Sequence, residues 1–180
     1  ERYGWNLEEV VRTIEARHFR EEEIRFEATL RGMLACVYGG SPSAAVIDYL
    51  QNHPDEEIRK RFEKLRPYHF SRTQRGTWTN KEGVKNYELA REVTGELVEI
   101  LRERQGWELE DIVHQINTVH FQEKILFGAP IIGMLACVYD NSPSAAIIDY
   151  LQNHPDEKAR KRFEKLRPYH FSRVGQGTWN

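Results

Sequence analysis

Cysteine is scarce in this chain: Cys36 and Cys137 are the two thiols among 180 residues. One cysteine per copy of a repeated segment is no disulfide framework, so a reducing, intracellular and cytoplasmic setting is expected. Each thiol lies in a Met-Leu-Ala-Cys-Val-Tyr run of helical type, where a buried cysteine is the ordinary expectation. Long apolar runs are missing as well, and the start has no signal-peptide pattern, so no membrane partner is expected. There is no glycine-rich phosphate loop, no Cys-x-x-Cys and no His-Glu-x-x-His, so no motif calls for a cofactor or a metal. Hydrophobic residues make up 39% and charged residues 30%, a balance that suits small helical domains with much surface.

What the chain does contain is a segment written twice. Gly32–Trp78 recurs as Gly133–Trp179, and only eight of the forty-seven positions differ. The differences are Gly39/Asp140, Gly40/Asn141, Val46/Ile147, Glu57/Lys158, Ile58/Ala159 and the run 73–75 against 174–176. A unit this long could nearly hold its own core, unlike a solenoid repeat. The expectation is an all-α protein of two homologous helical-bundle repeats joined by a long connecting helix. Unit 1 spans 1–79, the connecting helix 80–105 and unit 2 106–180. By repeat register, the copy before Glu1 lacks such a helix, and the chain opens without Met. An excised piece of a longer array is therefore expected, with the helix also bridging the two units.

Local signals support helices. Asn6 and Glu9 form a capping-box pattern, with Trp5 placed to staple onto Val10. Leu7, Val11, Ile14 and His18 then share one face, matched by Leu109, Val113, Ile116 and His120 in the second copy. Histidines on an apolar stripe are expected to be hydrogen-bonded to backbone. Residues 20–31 and 122–132 diverge and read as a loop or broken helix, with Pro130 at a helix start. A buried helix follows through Met33–Tyr38 and Met134–Tyr139. Glycines at 39 and 40 then suit a left-handed cap, Ser41 an N-cap and Pro42 the first helical position. The helix Ser43–Asn52 is apolar nearly all round and should be central, with Asp48 needing a partner such as an arginine. A helix opening at Pro54-Asp55-Glu56 carries Ile58, Phe62 and Leu65 inward and stops at Pro67. Between the copies, Tyr87, Ala90, Val93, Leu97, Val98 and Leu101 form one stripe, interrupted by Gly95 as a weak point.

Charge placement carries the functional expectation. Residues 59–75 hold seven cations against one acid in a chain whose net charge is −2, and residues 158–173 of the second copy likewise hold seven against one. Aromatic residues are interleaved, as a site for phosphates and accessible bases requires. The expected binding residues are Arg59, Arg61, Lys64, Arg66 and Arg72 with Tyr68, His69 and Trp78. Their second-copy counterparts are Arg160, Arg162, Lys165, Arg167 and Arg173 with Tyr169, His170 and Trp179. The expected partner is an anionic macromolecule, most naturally nucleic acid, or else an acidic protein. The bland alternative is a charge-laced helix face, with Glu56–Lys60 and Arg59–Glu63 four apart. A helix-turn-helix reading of Tyr38–Ser43 fails, because the following helix offers only Asp48, Gln51 and Asn52 to a base edge. Two further readings stand beside the first. One is a protein-interaction or scaffold repeat, including self-association through the connecting helix. The other is a small helical enzyme using His53 or His69 with Asp48, repeated as His154, His170 and Asp149; a non-enzymatic role is favoured.

Overall fold

The computed structural model describes residues 6–15, 30–70, 77–79, 82–122 and 131–171, and these are mostly helical. They fall into two compact units, with the boundary after Gln74. Trp5, His18 and the stretch around Pro130 lie outside the described residues.

The first unit holds α1 (Leu7–Thr13), α2 (Leu30–Tyr38), α3 (Pro42–Gln51), α4 (Glu56–Phe62) and a 3₁₀ turn at Pro67–His69. Helix α1 starts where its capping box closes: the Asn6 side chain accepts from the Glu9 N–H at 2.9 Å, and Glu9 returns the bond at 2.8 Å. Gly39 and Gly40 take φ of 56° and 81° after α2, a conformation that favours glycine. Ser41 then caps α3 through the Ala44 N–H, with Pro42 at its first turn. Val11, Leu50, Phe62, Leu65 and Phe70 make the core, with Leu7, Ile14, Val46, Ile47 and Ile58 packed around them.

The second unit repeats this order and adds to it. Its elements are α5 (Tyr87–Gln105), α6 (Leu109–Gln115), α7 (Thr118–Gln122), α8 (Ile132–Tyr139), α9 (Pro143–Gln152) and α10 (Glu157–Phe163), followed by a 3₁₀ turn at Pro168–His170. Asp140 and Asn141 replace the two glycines and still adopt φ of 51° and 62°; short polar side chains tolerate this region best. Helix α9 is central, as its composition predicts: α5, α8 and α10 all pack against it.

Three sequence expectations need adjustment. The long helix begins at Tyr87 rather than Asn80, because Asn86 caps it by accepting the Leu89 N–H, and the chain before it reverses through a Thr79–Lys85 bridge. It ends at Gly106, a left-handed cap with φ of 68°. Both cysteines are exposed rather than buried, since Met134, Leu135, Val138 and Tyr139 take the inner positions of α8 and leave Ala136 and Cys137 outward. Helix α2 buries Leu34 but exposes Met33 and Val37, so it is not the buried helix expected.

Gly95 is a contact surface as well as a weak point. A Cβ built there would lie 2.9 Å from Cε2 of Tyr150, so the α9 ring sits directly on the α5 backbone. Gly95→Ala pits a helix-propensity gain of about 1 kcal/mol against this clash. The substitution should lower stability in the parent but raise it in a Tyr150→Ala background, read by urea unfolding of the four variants. Equal effects in both backgrounds would show that the ring and the glycine do not touch.

Candidate functional site

The basic helices α4 and α10 carry the charge that the sequence singles out, and most of it is already engaged. The guanidinium of Arg59 donates to the carbonyls of His53 and Pro54, which ties α4 to the turn before it. Arg160 does the same with His154 and Pro155. Arg66 donates to the carbonyls of Glu63 and Leu65, and Arg167 to those of Glu164 and Leu166, closing orphan carbonyls at the helix ends. Arg61 pairs with Glu8 of α1, and Arg162 with Glu110 of α6 at 2.6 Å. Lys60–Glu56 and Lys161–Glu157 are exposed pairs one helical turn apart, a type that contributes only a few tenths of a kcal/mol. Lys64 and Lys165 are exposed, and among the described residues neither forms an ion pair.

The aromatic members divide by copy. Tyr68 and His69 are buried, whereas Tyr169 and His170 are exposed. Trp78 is buried in the second unit, its indole nitrogen beside Gly133 of α8. Arg72, Arg173 and Trp179 lie outside the described residues.

The histidines act as local fasteners. His69 Nδ1 accepts the Arg66 N–H at 2.9 Å, and His170 Nδ1 accepts the Arg167 N–H at 3.0 Å. His53 and His154 accept the N–H groups of Asp55 and Asp156 at 3.1 Å, beside the start of the next helix. His120 accepts the Asn117 N–H at 3.1 Å and meets the Trp107 ring edge-on, the backbone bond expected of it. Among the described residues, no cluster of His, Cys, Asp and Glu could hold a metal ion. A shallow depression of about 500 Å³ beside α4 is lined by Gln51, Glu56, Arg59, Lys60 and Glu63. Part of its lining is engaged: Gln51 Nε2 donates to the carbonyls of Glu63 at 3.0 Å and Leu65 at 3.1 Å, bonds that Gln152 repeats.

Asp48 and Asp149 find a tyrosine as their first partner. Tyr38 Oη donates to Asp48 at 2.6 Å, and Tyr139 Oη donates to Asp149 at 2.7 Å. Among the described residues an arginine joins in the second unit alone, Arg91 of α5 at 3.5 Å from Asp149. That difference marks a larger one. In the second unit α5 lies on α8 and α9, with Gly95 under Tyr150, Tyr87 edge-on to Tyr139 at 5.9 Å, and Lys85 paired with Asp140 at 3.1 Å. The stripe of α5 is buried there, from Ala90 to Leu101. In the first unit the matching face of α2 and α3 is open: Tyr49 is 59% exposed against 9% for Tyr150, and Val37 66% against 1% for Val138. Met33 is 41% exposed and Met134 fully buried. This open face is the candidate functional surface. Sequence reasoning missed it because the two segments are written almost identically.

The chain matches no known protein family, and no curated protein or solved structure matches it either.

The same surroundings set the tyrosine chemistry. Burial, then the hydrogen bond and charge of Asp149, push the Tyr139 phenol far above its ordinary range, with Arg91 opposing; burial also raises Tyr150. The folded state therefore keeps protons that the unfolded chain releases near pH 10. Their contribution is intact below that pH and is lost as pH rises above it. Tyr139→Phe should cost about 1 kcal/mol at pH 7 by removing one hydrogen bond. It should also make the alkaline fall in stability shallower, as read from urea unfolding on both sides of pH 10. An unchanged alkaline slope would show that Tyr139 does not hold its proton in the fold.

Proposed function

We propose that the chain is a non-catalytic helical repeat that serves as a protein-interaction module, built from two units of one design. In this reading α5 opens the second repeat, and the uncovered α2/α3 face of the first unit is the contact surface. The observation that carries it is the contrast between the two copies. Met33 and Val37 of α2 and Tyr49 of the adjoining α3 stand in solvent in the first unit, whereas their counterparts are covered in the second. Exposed apolar residues gathered on one face mark interaction sites more often than singly scattered ones do. The engaged state of Arg59, Arg61 and Arg66 in both copies supports a structural role for much of the basic helix.

A second reading, an anionic partner such as nucleic acid, is favoured by one observation: Lys165, Arg167, Tyr169 and His170 are all exposed within one short stretch of chain. Affinity capture from cell extract with immobilised chain separates the two. The expected result is capture of protein that resists nuclease, survives Lys64→Glu with Lys165→Glu, and is lost with Val37→Glu. Nuclease-sensitive capture that is lost in the lysine variant and kept in Val37→Glu would replace the first reading by the second. Fluorescence anisotropy with mixed short DNA and RNA at two salt concentrations would then show the steep salt dependence of phosphate contacts.

A further inference from the structure

We propose that the occupant of the open α2/α3 face is an amphipathic helix of α5's own pattern, carried by a partner protein. This rests on the interaction-module reading and names its partner.

The second unit displays the recognition chemistry directly. Three α5 residues at successive four-residue steps meet three residues of α8 and α9. Tyr87 stands edge-on to Tyr139, Arg91 faces Asp149, and Gly95 lets the Tyr150 ring lie on the helix backbone. All three receiving residues recur in the first unit as Tyr38, Asp48 and Tyr49, in the same order and on matching helices. The Tyr38–Asp48 hydrogen bond is already made, at 2.6 Å against 2.7 Å for its counterpart. The receiving carboxylate is thus held in the arrangement that meets Arg91 in the second unit. Tyr49 is likewise held edge-on to His53 at 5.3 Å, as Tyr150 is to His154. A seat whose polar and aromatic parts are positioned beforehand loses less on binding.

The fit defines the partner. Its helix needs an aromatic residue, a cation four residues on and a glycine four beyond that, with apolar residues filling the stripe. A side chain at the glycine position would strike the Tyr49 ring. The α5 sequence occurs once in the 180 residues and is already seated on the second unit, so a second copy would have to give up its own packing to supply it. Two differences weaken the seat relative to α9. Gly39 stands where Asp140 pairs with Lys85, and Val46 replaces the buried Ile147.

The test uses the full chain and a fluorescent peptide of residues 82–106. The expected result is saturable binding, weakened about tenfold or more by Tyr49→Lys or Asp48→Arg, both exposed positions. A peptide with Arg91→Asp should bind the parent poorly and recover on the Asp48→Arg chain. A peptide with Gly95→Leu should bind neither. Absence of peptide binding, or binding indifferent to Tyr49→Lys, overturns the proposal. So does a parent chain that dimerises without peptide and loses the dimer on Tyr49→Lys, because the occupant is then a second copy. If the peptide fails while Val37→Glu still abolishes capture from extract, the occupant is wrong and the interaction reading stands. If the peptide fails and Val37→Glu changes nothing, both fall.

Discussion

The seating of α5 on α9 through Gly95 and Tyr150 is the contact that divides this molecule into two differently finished units. A helix approaches another this closely only where a side chain is missing, and the missing side chain lets an aromatic ring cover backbone. Around that point Arg91 reaches Asp149 and the Tyr87 ring meets Tyr139, so one helix closes an apolar, a charged and an aromatic gap together. In the second unit Val138 of α8 and Tyr150 of α9 are inside, Tyr150 with its ring against Gly95 of α5. Near-identical sequence in the first unit leaves their counterparts at the surface. Corresponding residues of the two copies are therefore buried or exposed according to what packs on them.

The charged residues follow another logic. A run of cations on a short helix and the turn after it reads as a site for anions, yet geometry assigns several of them to the chain itself. Short helices leave a large share of their carbonyls without partners, and here Gln51, Arg59 and Arg66 donate to carbonyls at the turns flanking α4. The pair Arg61–Glu8 ties α4 to α1, and Arg162–Glu110 ties α10 to α6. Exposed pairs of this kind add little stability, but they fix which way a basic face points. Their recurrence in both copies marks them as part of the repeated design.

Much of the helical architecture was legible because it rests on local chemistry. The capping box at Asn6, Ser41 with Pro42 at the start of α3, and the left-handed positions 39–40 and 140–141 follow from residue type and spacing. The central place of α9 followed from its apolar composition. What was not legible depends on contacts between segments far apart. Nothing local distinguishes Gly95 as a seat for a ring from Gly95 as a flaw, or Gln51 as a cap for a different helix. Cys36 and Cys137 lie in apolar runs, and only the orientation of the helix decides that they face out. The open face was hidden for the same reason: two segments of almost the same sequence carry almost the same local signals.

The account rests on that difference in surroundings, and the chain carries its own probe of it. Its two methionines, Met33 and Met134, occupy the same position of the repeat. Sulfoxide formation follows exposure, so dilute hydrogen peroxide followed by mass spectrometry of the two peptides reads each site in one sample. Rapid oxidation of Met33 with Met134 protected until the fold is denatured is the predicted result. Equal rates at the two sites in the folded chain would contradict the account.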